Sequence, residues 1–342
     1  MNSKKIGVAV IGTGMAAKPH ALALNDIKEK IDVIGVFSRN IDNRLKFAKK
    51  YNFETFPDIQ SIKNNNDVDM VILITPPNQR LELVDKLSSG GKHILMEKPI
   101  ERSSKNAEKI VSICKKNNVN LGIVFQHRYR KSSIKLKSLI EENKFGSIYS
   151  AQINIPWWRE QSYYDELGRG TYERDGGGVL ISQAIHTLDL TLNLLGEVKE
   201  VQVMTETTKF HKMESENFVT GGLKFKSGVI ASLYATTSAF PGAPESIVLY
   251  CEKATVKLEA GNLNINWRNG KVEQFGEESG TGGSADPMAF PFDWHKDLII
   301  DFANSILSQK TFRVSGKEAL KVHYLIDAIM QSSKQSKLIS ME

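Results

Sequence analysis

The chain of 342 residues has few cysteines and lacks any apolar run long enough to cross a bilayer. Its two cysteines, Cys114 and Cys251, lie far apart in apolar surroundings, which argues against a disulfide framework and against a cysteine-based metal site. A membrane-spanning helix needs about 20 consecutive apolar residues. We therefore expect a globular protein with reduced thiols, no membrane partner and no bound metal.

A block of like charge is also missing. The sequence carries 45 basic and 39 acidic residues, a formal net charge of +6, and the two signs are interleaved. Because no basic stretch is combined with aromatic residues, we expect no nucleic-acid partner. The mild positive charge fits attraction for a phosphorylated cofactor or substrate.

The beginning of the sequence weakly resembles a signal peptide, with Lys4 and Lys5 before an apolar run. Gly12 and Gly14 interrupt that run after six residues, which is too short for the apolar region of a signal. We therefore expect a cytoplasmic location. The length of the chain favours two domains, since single hydrophobic cores rarely grow this large.

A strand followed by a glycine turn is the strongest local pattern. The apolar run Ile6–Ile11 leads into Gly12-Thr13-Gly14-Met15-Ala16-Ala17, which reads G-x-G-x-x-A. Such a turn lets the backbone approach a pyrophosphate, and the helix that follows offers N–H groups to the phosphates. Glycines can also serve a strand-turn-helix connection for steric reasons alone. A second apolar run at Ile31–Phe37 completes a βαβ unit, and this context favours dinucleotide binding.

The residues after the second strand bear on the choice of cofactor. An NAD-specific site usually has Asp or Glu here, whereas this chain has Ser38 and Arg39, with Arg44 one helical turn later. A hydroxyl and a guanidinium suit a 2′-phosphate. In the alternative interpretation, Arg39 only stacks on adenine, which serves either cofactor. We predict NADP(H) as the preferred cofactor, with NAD(H) as the alternative.

Short apolar runs at 69–74, 93–96 and 120–124 alternate with helical stretches, which predicts a doubly wound parallel sheet. Ligands bind beyond the carboxyl ends of the strands in such sheets. Three segments should therefore lie along one rim, namely Thr75-Pro76-Pro77-Asn78, Glu97-Lys98-Pro99 and Gln126-His127-Arg128.

The chain resembles the glucose–fructose oxidoreductase / inositol dehydrogenase / MocA family of NAD(P)-dependent oxidoreductases. The motifs that match in order and in spacing are Gly12-x-Gly14, Thr75-Pro76-Pro77-Asn78 and Glu97-Lys98-Pro99. On its residues alone, Lys98 would be interpreted as a surface lysine in a turn. The resemblance instead implies that Lys98 lies beside the nicotinamide and the reacting hydroxyl, followed by a cis peptide bond to Pro99. The predicted cofactor contacts are Gly12, Thr13, Gly14, Met15, Ala16, Ser38, Arg39, Thr75, Pro76, Pro77, Asn78, Glu97, Lys98 and Gln126.

The pattern changes after residue 126, where we place the domain boundary. Residues 1–126 are predicted to form the dinucleotide-binding Rossmann domain, and residues 127–342 a substrate-binding and oligomerisation domain. Short strands at 147–155 and from about 198 to 267 predict an α+β domain with a largely antiparallel open sheet. Helices at about 294–307 and 316–331 close the chain, and Gly276–Pro287 is predicted to be a flexible loop.

A long polar and aromatic segment, Pro156–Gly178, opens the second domain. Loops of this length are uncommon in compact domains unless they have a function. Aromatic faces and arginine donors suit a sugar ring or a phosphate, although an aromatic lid packed on the core is a real alternative. The predicted substrate contacts in and before this segment are Arg128, Trp158, Arg159, Tyr164 and Arg169.

The glycine triplet at 176–178 precedes a helix on which Ser182, His186 and Asp189 would share one face. A single histidine on a mostly apolar helix is usually a core residue. The family, however, reads G-G-G-x-L-x-D-x-x-x-H-x-x-D here, and the resemblance implies that His186 accepts the substrate's proton. Ser182 replaces the family's common Asp, and Ser182-Gln183 is similar to a variant in nucleotide-sugar 3-dehydrogenases. Lys98, Ser182, Gln183 and His186 complete the predicted substrate contacts.

The sequence thus predicts an α/β enzyme that transfers a hydride between nicotinamide and a secondary alcohol or ketone carbon of a sugar, nucleotide sugar or polyol. Lys98 and His186 are the predicted catalytic residues. The alternatives are a non-catalytic regulator that binds a dinucleotide and an NAD-dependent glycosidase that uses transient oxidation. The strand Val229–Tyr234 is apolar on both alternating faces, which predicts a homodimer or homotetramer.

Overall fold

The computed structural model describes residues 5–276 and 290–341, in which strands and helices alternate at first and strands dominate later. In chain order the elements are β1 (Ile6–Ile11), α1 (Ala17–Asp26), β2 (Ile31–Phe37), α2 (Ile41–Tyr51), α3 (Ile59–Asn64), β3 (Met70–Leu73), α4 (Arg80–Ser88), β4 (His93–Glu97), α5 (Ser104–Lys116), β5 (Leu121–Val124), α6 (Lys131–Glu141), β6 (Ile148–Pro156), α7 (Gln161–Tyr164), a π-helical turn (Leu180–Ala184), α8 (Ile185–Leu195), β7 (Val198–Glu206), β8 (Phe218–Phe225), β9 (Ile230–Thr236), β10 (Ser246–Cys251), β11 (Ala254–Glu259), β12 (Asn262–Trp267), β13 (Val272–Phe275), α9 (Asp293–Leu307), α10 (Gly316–Gln335) and β14 (Ile339–Ser340). Short 3₁₀ turns occupy Pro77–Gln79 and Gln126–Tyr129.

The chain divides into two compact units. The first unit ends at Val124 and also contains Pro291–Leu320, whereas the second unit begins at Phe125 and resumes at Lys321. The predicted division at residue 126 did not anticipate that the segment 291–320 returns to the first unit. It does so because α9 packs on α1 and on strands β4 and β5, where Gly122 leaves space for Phe302.

The first unit contains a parallel sheet with the strand order β2-β1-β3-β4-β5. All six residues of β1 are buried, as expected for a strand covered on both faces. Since every strand runs in the same direction, the carboxyl ends of β1 to β4 lie at one edge of the sheet. The predicted doubly wound α/β fold is confirmed.

The second unit contains a nine-stranded sheet among its described residues, in the order β13-β12-β11-β10-β6-β9-β8-β7-β14. Within the described part of this sheet, β6 and β9 form the one parallel pair, so the prediction of a largely antiparallel sheet is confirmed. Along β9, Ala231 and Leu233 are buried while Ile230 and Ser232 are exposed. The sheet therefore has one covered face and one open face in the single chain.

The predicted elements agree with the structure closely, with one difference. The helix predicted from Val179 begins with a π-helical turn over Leu180–Ala184, and regular α-helix follows from Ile185. The predicted loop Gly276–Pro287 lies, beyond Gly276 itself, outside the described residues. Among the residues that are described, no helix has both the length and the apolar character that a bilayer span requires.

Candidate active site

The carboxyl ends of β1 to β4 carry the residues that were predicted to bind the cofactor. The segments that follow these strands are Gly12–Ala16, Ser38–Arg39, Thr75–Asn78 and Glu97–Lys98, and we call them together the cofactor edge. All four segments belong to the first unit. The topology therefore brings together the predicted cofactor residues of this unit.

The two glycines of the first turn have different physical roles. Gly12 has a φ of +108°, and an added Cβ would lie 2.7 Å from the Ile74 carbonyl oxygen, so the fold itself requires glycine. Gly14 has a φ outside the left-handed region, and an added Cβ would meet no protein atom within 4 Å. The fold does not require glycine at 14. The space in front of Gly14, beside the start of α1, fits the pyrophosphate of a dinucleotide.

The segment after β2 presents one polar and one cationic side chain. The Ser38 hydroxyl donates to the Asn40 carbonyl at 3.5 Å, and Arg39 is exposed. Arg44 lies over the Phe37 ring at 5.5 Å and donates to the Pro57 carbonyl at 3.2 Å. Arg44 therefore has structural contacts of its own, and Arg39 is the better candidate for contact with a 2′-phosphate.

A buried histidine and glutamate pair lies beneath Lys98. Nε2 of His20 donates to Oε1 of Glu97 at 2.9 Å, and the backbone N–H of Lys98 donates to Oε2 of Glu97 at 3.1 Å. Burial raises the pKa of Glu97, but the hydrogen bond from His20 and the charges of His20, His295 and Lys98 bring it below its usual value. Glu97 is thus an anion that is fixed by His20 through one oxygen and holds the backbone N–H of Lys98 through the other. The Lys98–Pro99 peptide bond is cis, as the resemblance implies.

His295 joins this pair in a cluster that the sequence analysis missed. Ligand-type atoms of His20, Glu97 and His295 all lie within 4.8 Å of one another, a separation that a metal ion could bridge. Tetrahedral ligands at about 2.1 Å from zinc lie roughly 3.4 Å apart, however, so the 2.9 Å contact between His20 and Glu97 is better explained as a hydrogen bond. Burial is the main cause that lowers the pKa of His295 to about 3. The charge of His20 acts in the same direction, and the charge of Glu97 opposes both.

In the second unit, the predicted catalytic histidine lies on the helix of residues 180–195, which we call the His186 helix. Its start is held by Glu216, whose carboxylate accepts the backbone N–H groups of Gly178 and Leu180, each at 3.1 Å. Glu216 is buried, and burial raises its pKa against the opposing effect of these hydrogen bonds. A buried acid thus caps the helix at its positive dipole end.

The π-helical turn places Ser182 and Gln183 directly before His186. Because a π turn is wider than an α turn, the regular spacing assumed for Ser182, His186 and Asp189 does not hold through this segment. Gln183 is buried, and its Nε2 donates to the Tyr163 hydroxyl at 3.4 Å. Its Oε1 has no hydrogen-bond partner among the described atoms, so this amide is suited to contact a ligand.

His186 is 6% exposed and lies between two rings. The His127 ring stacks on it at 4.9 Å between centroids, with the planes 29° apart, and Phe125 contacts it edge-on at 5.9 Å. These contacts restrict the orientation of the imidazole. Sequence reasoning placed Gln126 and Arg128 at the site but did not assign a role to His127 between them.

A buried ion pair extends behind His127. Arg130 donates to Nε2 of His127 at 2.7 Å and to Glu245 at 2.7 Å. Since a guanidinium can only donate, Nε2 of His127 must be unprotonated in this arrangement. Burial lowers the pKa of Arg130. The charge of Glu245 and the hydrogen bond that Glu245 accepts from Arg130 oppose this effect without cancelling it.

Arg128, which was predicted to contact substrate, is instead joined to the His186 helix. Its Nε and Nη2 donate to the two oxygens of Asp189, each at 2.7 Å, and its Nη1 donates to Asn193 at 3.3 Å. Arg128 and Asp189 are both buried, with side chains 8% and 1% exposed. This two-bond pairing fixes the position of the helix and leaves the arginine engaged within the protein.

The aromatic segment brings two of the predicted arginines around Tyr163. The guanidinium of Arg169 lies over the Tyr163 ring at 4.6 Å and that of Arg159 at 5.6 Å, while Arg159 also lies over Trp157 at 5.4 Å. Tyr163 also receives the hydrogen bond from Gln183, so it links the loop to the His186 helix. Tyr163 was not among the predicted site residues.

The other two predicted contacts of this segment have structural surroundings. The Tyr164 hydroxyl lies 2.7 Å from the Thr237 hydroxyl and is buried, and burial raises its pKa. Trp158 packs against Phe240 and donates from its indole to Glu160 at 2.9 Å. Tyr164 and Trp158 therefore have contacts of their own within the second unit.

Two family profiles match most of the chain. Residues 6–125 match the oxidoreductase family with an NAD-binding Rossmann fold, and residues 133–257 match the GFO/IDH/MocA C-terminal domain. The scyllo-inositol 2-dehydrogenase (NADP(+)) IolW of Bacillus subtilis is 22% identical over 98% of this chain and 96% of its own length.

Solved structures show the same fold over the whole chain. The WlbA dehydrogenase of Chromobacterium violaceum, in complex with NADH and UDP-GlcNAcA, is 26% identical with a TM-score of 0.85, covering 100% of this chain and 97% of that one. Levoglucosan dehydrogenase, in complex with NADH and levoglucosan, is 20% identical with a TM-score of 0.86, and the match covers 98% of this chain and 99% of that one. Each of these relatives is named as a dehydrogenase.

Proposed function

Because the chain belongs to the GFO/IDH/MocA family of oxidoreductases, we propose that it oxidises or reduces a secondary alcohol or ketone carbon of a sugar-like substrate. The observation that supports this most directly is the position of Lys98 at the cofactor edge, next to the buried anion Glu97. A bound nicotinamide would supply the hydride chemistry, which the protein's own side chains cannot perform.

Several residues at the cofactor edge fit a dinucleotide. The open space before Gly14 suits the pyrophosphate, and the Thr75 hydroxyl is buried without a hydrogen-bond partner among the described atoms. Gly12, Thr13, Met15, Ala16, Pro76, Pro77, Asn78 and Glu97, with Gln126 of the second unit, complete the proposed set. An orphaned buried hydroxyl normally marks a missing partner, so Thr75 is a candidate for direct contact with the cofactor.

We propose a preference for NADP(H), based on Ser38 and Arg39 in place of the acid that would hold a ribose hydroxyl. Direct fluorescence titration with NADPH and NADH tests it. NADPH should bind more tightly, and Arg39→Ala should remove most of the difference. Equal or weaker binding of NADPH by the wild type would show that Arg39 serves only as a shelf for the adenine. Arg44→Ala is the matched control, because Arg44 is engaged with Phe37 and the Pro57 carbonyl.

Two side chains are proposed to perform the proton chemistry. His186 accepts the proton of the reacting hydroxyl in the oxidative direction, since a neutral imidazole has one ring nitrogen free to take a proton. Lys98 donates a hydrogen bond to the same oxygen and stabilises the negative charge that develops on it. Gln183, Arg159 and Arg169 are the proposed substrate contacts, together with Ser182.

A substrate screen tests the reaction and separates the alternatives. The screen contains levoglucosan, the inositols, UDP-GlcNAcA and nitrophenyl glycosides, each with NAD(H) and NADP(H). It follows the near-ultraviolet absorbance of reduced nicotinamide and, separately, the release of sugar. A dehydrogenase gives a net change in absorbance with at least one compound. A glycosidase that uses transient oxidation releases sugar from a glycoside without a net change, and a non-catalytic regulator gives neither signal.

We propose that the open face of the nine-stranded sheet is covered by a second copy of the chain, giving a homodimer or homotetramer. Ile230 is 61% exposed on this face, and Tyr250 is 39% exposed on β10, where it aligns with Ile230 across the intervening strand β6. Light scattering at micromolar concentration tests this proposal, and a stable monomer would refute it.

A cytoplasmic location is also a proposal. Both thiols are buried and unpaired with each other, and burial raises the pKa of Cys114 to about 12 and that of Cys251 to about 11. Such thiols stay protonated and are suited to a reducing compartment. Fractionation of cells with an antibody to the native protein would test the location directly.

A further inference from the structure

Arg80 is a buried cation at the cofactor edge that the sequence analysis did not select. It is the first residue of α4, and its side chain is largely inaccessible, with the residue 3% exposed. Its Nε and Nη2 donate to the Thr75 carbonyl at 2.9 and 2.7 Å. Its Nη1 donates to the carbonyls of Glu97 and Pro99.

These three carbonyls belong to the two segments that carry the proposed chemistry. Thr75 follows β3, and Glu97 and Pro99 are the residues on either side of Lys98. One planar guanidinium therefore joins the ends of two neighbouring parallel strands. The N–H donors of a guanidinium point in fixed directions within one plane. The contact with Arg80 therefore fixes the distances between the three carbonyl groups.

We infer that Arg80, anchored on the Thr75 carbonyl, is a positioning residue that sets the place of Lys98 at the cofactor edge. This inference rests on the proposed role of Lys98. Arg80 has no proposed contact with substrate or with reacting atoms, and it acts through the backbone on both sides of the lysine.

The charge of Arg80 is supported where it lies. Burial lowers its pKa to about 10, and the negative charges of Glu97 and Glu101 oppose this effect. The guanidinium is therefore still cationic near neutral pH. A lysine at this position would keep a charge, but a single ammonium on a flexible stem does not reproduce the planar fork that reaches three carbonyls.

Lys92 offers a matched control at the opposite edge of the same sheet. It is 5% exposed, precedes β4, and donates from Nζ to the carbonyls of Asn65 and Val68 at 2.6 and 2.8 Å. Like Arg80, it is a buried cation that holds backbone carbonyls. Unlike Arg80, it lies at the edge remote from Lys98, because Lys92 and Glu97 flank opposite ends of β4.

The experiment compares Arg80→Lys, Arg80→Gln and Lys92→Met in the full chain. Measurements are kcat with the fastest substrate of the screen at saturating cofactor, the Kd for NADPH by fluorescence, and the melting temperature. Both Arg80 variants should lose ~10–10²-fold in kcat, the usual effect of misplacing a reacting group by about an ångström. Their Kd for NADPH should change much less than kcat. Lys92→Met should lower the melting temperature and leave kcat unchanged.

A double-mutant comparison shows whether Arg80 acts through Lys98. In a Lys98→Ala background, Arg80→Lys should cause no further loss of kcat, because the group it positions is absent. A further loss of full size, or wild-type kcat in both Arg80 variants, would overturn the inference. If Lys98→Ala itself turns over at the wild-type rate, the proposed role of Lys98 is what fails. If Lys98→Ala is slow while Arg80→Lys and Arg80→Gln are fast, only the inference about Arg80 fails.

Discussion

The cofactor edge and the His186 helix are held in place in different ways. At the cofactor edge, most of the groups that are held in place are backbone groups, as in the turn at Gly12 and the carbonyls around Lys98, although the pair His20 and Glu97 also spans 77 residues. The His186 helix is fixed by side chains that come from distant parts of the sequence. Arg128 and Asp189 are 61 residues apart, and Arg130 and Glu245 are 115 residues apart. Backbone geometry requires particular residues at fixed spacing, whereas a distant ion pair leaves no local pattern.

Gly14 of the cofactor edge and Gly178 before the His186 helix are required for different reasons. Gly14 has open space where a Cβ would be, so its requirement comes from the cofactor that we propose. Gly178 would place a Cβ 1.7 Å from the carbonyl oxygen of Glu216, so its requirement comes from the fold. A glycine motif in sequence does not distinguish these two causes.

The largest effect is expected from Gly178→Ala. The added methyl group overlaps a backbone carbonyl that cannot move without displacing Glu216, so the loss of unfolding free energy should reach ~4 kcal/mol or more. Urea unfolding of the purified protein measures it. A loss below ~1 kcal/mol would mean that the start of the His186 helix adapts easily, and the contrast between the two regions would be weaker than we describe.

Gly14→Ala is the matched substitution at the cofactor edge. Its melting temperature should equal or slightly exceed that of the wild type, because alanine fits here and reduces the entropy of the unfolded chain. Its affinity for NADPH should fall ~10-fold or more, since a methyl group would occupy the space of the pyrophosphate. Unchanged affinity in a stable variant would remove Gly14 from the cofactor site.

The next effect concerns the one proposed catalytic residue in each region. Lys98→Ala and His186→Ala should each reduce kcat by ~10²–10⁴-fold, the usual contribution of positioned proton transfer. If both act on the same hydroxyl, the double variant should lose much less than the product of the single losses. Steady-state kinetics measure both, and NADPH titration verifies that the cofactor still binds. Wild-type turnover by a folded His186→Ala variant would identify His186 as a core residue.

The ion pair of Arg128 with Asp189 gives a third test. Removing one partner of a buried pair leaves an uncompensated charge, so Arg128→Met should cost ~3–5 kcal/mol of unfolding free energy. Arg128→Met combined with Asp189→Leu should cost less than Arg128→Met alone, because no charge is then buried without a partner. A loss under ~1 kcal/mol together with a raised KM would instead support the contact with substrate predicted from sequence.

The contrast between the regions also explains what the sequence could predict. Glycine spacing and strand alternation specify the parallel sheet, so the residues of the cofactor edge were placed at the ends of the correct strands. Arg80 was missed because its partners are carbonyls, which every residue possesses. Nothing in the sequence distinguishes an arginine that holds backbone oxygens from one on the surface of a helix.

In the second unit, the identity of the helix was predictable and its surroundings were not. The family motif selected His186, but His127, Arg130 and Glu216 carry no motif of their own. The π-helical turn at 180–184 also has no sequence signal that we recognise, and it alters the spacing on which Ser182 was placed. Arg128 was assigned to substrate because an exposed arginine and a buried one look alike in sequence.

The smallest expected effect concerns the pH dependence of the cap on the His186 helix. Burial raises the pKa of Glu216 in the folded protein above its pKa of about 4.3 in the unfolded chain. At any pH between these two pKa values, Glu216 has lost its proton in the unfolded chain but still keeps it in the folded protein. Over that window the contribution of Glu216 to stability falls as pH rises, and below it the contribution is constant. Glu216→Gln has no proton to release, so its unfolding free energy relative to the wild type should improve as pH rises from 4 towards neutrality. Urea unfolding of both proteins across this pH range measures the difference between their unfolding free energies. The other carboxyl groups are present in both proteins, so their contributions cancel in this difference. A difference that stays constant, or that moves in the wild type's favour with rising pH, would show that the two backbone N–H groups outweigh burial and that Glu216 caps the helix as a fully stabilised anion.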